Sequence, residues 1–225
     1  TGQPKAVMLT HANLFANVIA MDAVSDFGRE DNFLAVLPMF HSFGWTTSVL
    51  LPLYLGSTIT ILDRFMPKEV LQVLSEEKVT IFCGVPSMFS LMLKLRRTLP
   101  FPRQIYAFSG GDSIRPEHLK EFENKFNIPI IEGYGLSEAS PLVTLNPIKG
   151  LRKVKSIGIP LPGVEVRIID EENLDLPPGE VGELIVKGPN VMKGYYNRKE
   201  ETAAALRDGW LHTGDLGYRD EDNYL

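Results

Sequence analysis

A hydroxyl followed directly by a carboxylate, Ser137-Glu138, stands just beyond a tyrosine set between two glycines, Gly133-Tyr134-Gly135. Adjacent hard oxygens suit a phosphate group and its Mg2+, because Mg2+ prefers oxygen ligands and takes only one or two carboxylates from protein. Glycines on both sides of a ring permit backbone turns and a close ligand approach that a Cβ would block. The segment Glu132–Pro141 also reads as a glycine-rich turn with a packed tyrosine and a surface glutamate, and its own residues do not decide between the two. Other candidates lie elsewhere. Lys5 closes a glycine-containing loop that can hold phosphates through backbone N–H groups and one cation, or be a plain surface turn. It is not a Walker-type loop, since no Gly-Lys-Ser/Thr follows and Ala6–Thr10 reads as a strand. His41 and Trp45 stand at the start of an apolar run. Asp215, in Thr213-Gly214-Asp215, is either a turn-former or an acceptor for two ribose hydroxyls.

The elements that must position these residues alternate. Thr10 can cap a helix from His11 to about Val24. Asn32–Met39 reads as a buried strand broken by Pro38, followed by the loop Phe40–Gly44 and an almost wholly apolar helix, Trp45–Leu55, expected to be buried. Strands at Ser57–Leu62, Val79–Gly84, Gln104–Phe108 and Ile128–Ile131 alternate with helices at Pro67–Lys78, Pro86–Arg96 and Pro116–Asn127. Such alternation predicts an α/β fold with a mainly parallel sheet flanked by helices. Ligands of these sheets sit beyond the carboxyl ends of the strands. The loops at Phe40–Gly44, Gly84–Ser87, Ser109–Ser113 and Glu132–Glu138 should therefore converge on one face. After Pro147 the texture changes to a basic connection, Lys149–Lys155, and short strands at Val164–Asp170 and Gly182–Lys187 with Gly/Pro turns. A helix around Glu200–Leu206 precedes a closing strand, a tight turn at Thr213–Asp215 and a hairpin. This second part predicts a small antiparallel, barrel-like β subdomain. The expected division is 1–155 and 156–225.

Composition narrows the classes. With 225 residues, 44% hydrophobic and 23% charged, the chain is an ordinary globular one. Its net charge of −5 argues against a nucleic-acid partner. The single cysteine, Cys83, lies in an apolar run and reads as a reduced core residue, so no disulfide framework or cysteine-rich metal site is expected. There is no signal peptide and no run long enough to be a transmembrane segment, which points to the cytoplasm, either free or peripheral to a membrane. The chain opens at Thr1 without an initiator methionine and stops at Leu225 where a strand begins, and both ends read as cuts.

Taken in order, the motifs resemble those of the adenylate-forming enzymes, most closely a fatty acyl-CoA synthetase. TGQPKAV resembles the end of that family's phosphate loop, PMFHSFGW its aromatic acyl-pocket motif, SGGDSI and GYGLSEASP its adenine and phosphate loops, and GELIVKGPNVMKGYYN and GWLHTGDLGY its later β segments. The resemblance covers essentially the whole chain and implies an ATP-dependent acid–thiol ligase. A carboxylate attacks the α-phosphorus of ATP to give an acyl-adenylate and pyrophosphate, and a thiol, usually CoA, then attacks the mixed anhydride. It implies that Tyr134, between Gly133 and Gly135, stacks on adenine and that Ser137 bonds the α-phosphate. Glu138 would ligate Mg2+, Asp215 hold the ribose, and Lys5 belong to the phosphate loop. Gly110, Gly111 and Asp112 would line the junction of nucleotide and acid. His41, Gly44 and Trp45 would wall the acyl pocket, Trp45 resembling the gate of some long-chain members. His41-Ser42-Phe43 replaces the aspartate by which amino-acid-activating relatives pair an amino group, so a plain carboxylic acid fits better. Luciferase-like chemistry shares the nucleotide motifs, and a non-catalytic nucleotide-binding module is the alternative from another class. The first half of the phosphate loop and a C-terminal domain with its lysine do not appear, so the fragment alone is expected to be inactive and, with apolar surface uncovered, to self-associate as a homo-oligomer.

Overall fold

The computed structural model describes residues 4–225; residues 1–3, the start of the Lys5 loop, lie outside the described residues. Thr10 caps the opening helix, His11–Asp22, accepting from the Asn13 amide while the Asn13 side chain accepts from the Thr10 amide, a reciprocal arrangement that satisfies two otherwise unpaired donors. Pro67, Pro86 and Pro116 each start a helix, where a missing N–H costs nothing. These helices, Pro67–Glu76, Pro86–Leu93 and Pro116–Phe126, bury one apolar face each, such as Leu119, Phe122 and Phe126.

They cover one side of a seven-stranded sheet. Its order is Thr58–Ile61, Asn32–Ala35, Ile81–Gly84, Tyr106–Ser109, Ile130–Gly135, Leu142–Leu145 and Ile159–Pro160. The first five strands are parallel, as the alternation of elements predicts, and Leu142–Leu145 runs antiparallel to both of its neighbours, Ile130–Gly135 and Ile159–Pro160. Phe82, Phe89, Phe122 and Phe126 form a file of rings on one side, centroids 5.4, 5.1 and 4.7 Å apart, a spacing at which aromatic pairs add to simple burial. On the other side Phe27 meets Phe33 and Phe108 edge-on. A four-stranded antiparallel sheet follows, in the order Leu206–Arg207, Trp210–Gly217, Gly182–Lys187, Glu165–Ile169. Val7–Met8 pairs with Gly194–Tyr195, tying the start of the chain to its later part. No helix among the described residues is long and apolar enough to cross a membrane.

Three local expectations change. The strand expected at Ile128–Ile131 runs instead from Ile130 through Gly135, so most of the supposed glycine loop is sheet. The antiparallel strand Leu142–Leu145 supplies its hydrogen bonds, and the loop proper is only Leu136–Pro141. The apolar segment starts earlier, as helix Ser42–Trp45, passes through a π-helical turn at Thr46–Leu50, and ends as helix Leu51–Leu55. It is not buried all round: Leu53 and Tyr54 are exposed, and Tyr54 meets Phe15 edge-on at 5.5 Å. Thr46, Thr47 and Ser48 face inward instead, where the Thr47 hydroxyl donates to the Phe43 carbonyl at 2.7 Å and that of Thr46 to the Ser140 carbonyl at 3.1 Å. The tight turn expected at Thr213–Asp215 is a bulge within the continuous strand Trp210–Gly217. Glu183 pairs with Leu216 and Ile185 with His212, and Gly214 takes φ +74°, a left-handed conformation that favours glycine.

Candidate functional site

The glycines around Tyr134 answer first to the neighbouring strand. A Cβ on Gly133 would lie 2.9 Å from the Thr144 carbonyl oxygen, and one on Gly135 would lie 2.1 Å from that of Pro141. With no side chain in the way, Leu142–Leu145 packs close and fixes where Tyr134 emerges. Beyond Gly135 the chain makes a short 3-10 turn, Ser137–Ala139, and reaches the cis peptide Ser140–Pro141. Buried polar side chains hold this loop from behind. Asn17, wholly buried in the opening helix, donates to the Leu142 carbonyl at 2.7 Å and accepts from the Leu142 amide at 3.2 Å. Asn190 donates to the Ala139 carbonyl at 2.9 Å, and the Ser140 hydroxyl donates to the Asn190 carbonyl at 2.8 Å. The loop's backbone groups are thereby paired although they are out of reach of water.

The loop's outer side carries the candidate chemistry. The Tyr134 hydroxyl donates to Asp215 at 2.5 Å, across from the large sheet to the small one. The Ser137 and Ser42 hydroxyls are 3.1 Å apart. The Glu138 carboxylate accepts from the Tyr195 hydroxyl at 2.7 Å, and the Lys5 ammonium sits 4.4 Å above the Tyr195 ring. Burial, then the bond to Asp215, pushes the Tyr134 phenol up, and burial, then the bond to Glu138, does the same for Tyr195. Both phenols are therefore protonated donors at neutral pH. Asp215 rides on the bulge, which is itself clamped: the Gly214 amide donates to Glu183 at 3.0 Å, and the other Glu183 oxygen meets the His212 ring at 3.0 Å. Burial raises the Glu183 carboxyl, but the bonds from His212 and Gly214 outweigh it and hold the group below the usual carboxylate range.

Beneath this face lies a cavity of about 90 Å3. His41, Ser42, Gly110, Gly111, Gly133, Tyr134, Gly135 and Ser137 line its mouth, and its depth is apolar, with Met21, Phe27, Phe33, Leu51, Phe108 and Ile148 among its walls. Cys83 also faces it, and burial pushes that thiol up to about 11. Three of the four expected segments, Phe40–Gly44, Ser109–Ser113 and Glu132–Glu138, contribute to the cavity lining, whereas no residue of the Gly84–Ser87 loop does, Val85 instead approaching Gly111. Six candidates stand apart from the cavity wall: Lys5, Glu138 and Asp215, and also Gly44, Trp45 and Asp112. Gly44 is buried against the Leu37–Pro38 backbone, Trp45 is 41% exposed beside the mouth, and Asp112 is exposed, accepting from the Ser113 amide at 2.7 Å.

Among the described residues there is no group of three or more His, Cys, Asp or Glu able to hold a metal ion. The donor set around Glu138 is one carboxylate beside one hydroxyl, which suits a Mg2+ carried mainly by phosphate oxygens and does not suit a protein-caged ion. Sequence reasoning passed over Tyr195, Asn17, Asn190 and Glu183. Asn17 alone left a signal: it is a polar residue among Leu14, Val18 and Met21, at the spacing of a core-facing helix stripe.

Comparison with known proteins bears on these residues together. Residues 1–196 match the profile of the family described as AMP-binding enzyme. The chain is 42% identical over 230 residues to a long-chain-fatty-acid–CoA ligase of Bacillus subtilis, all of this chain aligning with 41% of that protein. It is 34% identical over 236 residues to a feruloyl-CoA synthase of an Amycolatopsis species, all of it aligning with 46% of that protein. Among solved structures, it is similar to the o-succinylbenzoate coenzyme A synthetase of Bacillus subtilis in complex with ATP and magnesium ion. The TM-score is 0.91 at 31% identity, covering 100% of this chain and 46% of the other. The chain spans about half the length of the curated relatives it matches.

Proposed function

The chain belongs to the AMP-binding enzyme family, and from that premise we propose that it binds ATP and a carboxylic acid for adenylation of the acid, within an ATP-dependent acid–thiol ligase. The observation that carries this reading is that Tyr134 and Ser137 line an apolar cavity while the Tyr134 hydroxyl reaches Asp215 and Glu138 directly follows Ser137. In the proposed reaction the acid's carboxylate oxygen attacks the α-phosphorus, the bond to the β-phosphate oxygen breaks, and pyrophosphate leaves. CoA is the proposed thiol, attacking the acyl carbon of the mixed anhydride and releasing AMP. An anion approaching a polyanion requires positioning and charge neutralisation more than acid–base chemistry. Tyr134 is assigned to the adenine face, Asp215 to the ribose hydroxyls, Ser137 to an α-phosphate oxygen and Lys5 to the phosphates. Glu138 would hold Mg2+, which supplies charge neutralisation on the phosphates when bound. Gly110 and Gly111 let acid and nucleotide meet beside His41.

These relatives are ligases or synthases for different acids, so the acid is read from the cavity. Its carbon-lined depth favours a fatty acid over an amino acid, whose ammonium would find no carboxylate there. Residues 1–155 are proposed to supply the cavity and phosphate loop, and 156–225 the ribose carboxylate. Two variants test the assignment by calorimetric ATP binding over a Mg2+ series. Asp215→Asn weakens ATP by about 1.5–3 kcal/mol, the range for hydrogen bonds to a charged group, at unaltered Mg2+ dependence. Glu138→Gln raises the Mg2+ required. The reverse pattern would refute both roles.

A further inference from the structure

We propose that Tyr195 is the positioning residue for Glu138, its hydroxyl fixing one carboxylate oxygen so that the other is free to face a phosphate-bound Mg2+. The inference rests on the metal role proposed for Glu138 and adds a residue that none of the sequence motifs singled out for chemistry.

Four contacts fix Tyr195 independently of any ligand. Its residue is 6% exposed, and its strand pairs with Val7–Met8, opposite Val7. Its amide donates to the Thr202 hydroxyl at 2.9 Å. The Lys5 ammonium covers its ring at 4.4 Å, and its hydroxyl reaches Glu138 Oε1 at 2.7 Å. The backbone of the Glu138 loop is held in parallel, since the Met192 amide donates to the Glu138 carbonyl at 2.8 Å. Both ends of the Glu138 residue are thus anchored to the segment Met192–Tyr195.

A free glutamate side chain samples several rotamers and loses that freedom on binding an ion. A carboxylate already held by a hydrogen bond is oriented in advance, and an outer partner of this kind commonly changes metal affinity by about 10–100-fold. Because Tyr195 touches Glu138 through oxygen and Lys5 through its ring, it also sets the distance between the cation and the anion that flank the triphosphate in the proposed reading. A phenylalanine would keep the ring, the strand and the cation contact and remove only the hydroxyl.

The test is ATP titration into the 225-residue chain at a series of Mg2+ concentrations, with an EDTA arm, for the wild type, Tyr195→Phe, Glu138→Gln and the double variant. The expected result is a half-saturating Mg2+ concentration about 10–100-fold higher for Tyr195→Phe, with Mg2+-free ATP binding and the thermal midpoint close to wild type. The double variant should be no worse than Glu138→Gln, because the two residues act as one unit. If Glu138→Gln shifts the Mg2+ dependence and Tyr195→Phe does not, the positioning role is overturned while the metal role stands. If Glu138→Gln has no effect, the metal role falls and this inference with it. If Tyr195→Phe weakens Mg2+-free binding equally, or lowers the thermal midpoint substantially, Tyr195 is a packing residue.

Discussion

Replacing Gly135 with alanine tests whether the glycines beside Tyr134 serve the sheet or the ligand. The added Cβ would sit 2.1 Å from the Pro141 carbonyl oxygen, 2.8 Å from its carbonyl carbon and 3.0 Å from Leu142 Cα. All three are backbone atoms, so none can swing aside as a side chain would. The strands must part by about 1 Å or more to approach normal contact, near 3.5 Å. That movement breaks the Gly135–Leu142 pairing and stretches the 3.0 Å bond from the Leu136 amide to the Pro141 carbonyl. Two backbone hydrogen bonds at about 1 kcal/mol each, with about 1–3 kcal/mol of backbone strain, give a loss of about 3–5 kcal/mol. In a chain of this size each kcal/mol lowers Tm by about 2–4 °C, so the expected drop is about 6–20 °C. Scanning calorimetry measures it, with urea unfolding as a second probe. Gly28→Ala is the control, since nothing lies within 4 Å of a Cβ there. A Gly135→Ala chain within 1 kcal/mol of wild type would refute the packing argument and return the glycine to the ligand.

Trp45 lies outside the cavity wall, so Trp45→Ala should leave the preference among fatty acids of different length unchanged in a displacement assay with a fluorescent acid. A changed profile would show that the ring swings inward. Cys83 ionises only near pH 11 when folded, whereas an unfolded cysteine ionises at about 8.5. Its contribution to stability is therefore complete below the unfolded value and is lost as pH rises toward the folded one. Urea unfolding should show stability falling between about pH 8.5 and 11 more steeply in the wild type than in Cys83→Ala; equal slopes would exclude the thiol as the cause.

The alternation of apolar runs with proline-led amphipathic helices made the large sheet legible, because each helix repeats a core stripe that only one packing can bury. Val70, Leu71 and Leu74 illustrate it: their spacing alone marks the inward face, and all three are buried. The candidate residues could be picked out in the sequence, but their geometry could not. Gly133 and Gly135 look the same in a sequence whether they free a loop or admit a neighbouring strand, and the partner strand that decides begins only at Leu142. The same holds for Thr213-Gly214-Asp215, where a turn and a bulge share a residue pattern and pairing to Glu183 and Ile185 settles which forms. The apolar segment after His41 misled for a different reason. Hydroxyls at Thr46 and Thr47 satisfied by nearby carbonyls cost little to bury, so hydrophobicity alone did not tell inside from outside. Tyr195 and Asn190 gave no signal because their roles depend on partners 57 and 51 positions away.

Asn17 and Asn190 also bear on the order in which the molecule assembles. The loop carrying Ser137 and Glu138 is locked by a side chain 125 positions upstream and by another about 50 positions downstream. Contacts between positions so distant require large loops to close before they return any stabilisation, and they form slowly. The parallel strands can begin pairing from nearer neighbours, through crossover helices. This loop is then set among the last parts of the fold, after the opening helix and the segment around Asn190 have docked on either side of it. During synthesis this loop stays unlocked until the segment around Asn190 is available, and hydrogen exchange during refolding should show the amides of Leu136, Ala139 and Leu142 protected later than those of Ile81–Gly84.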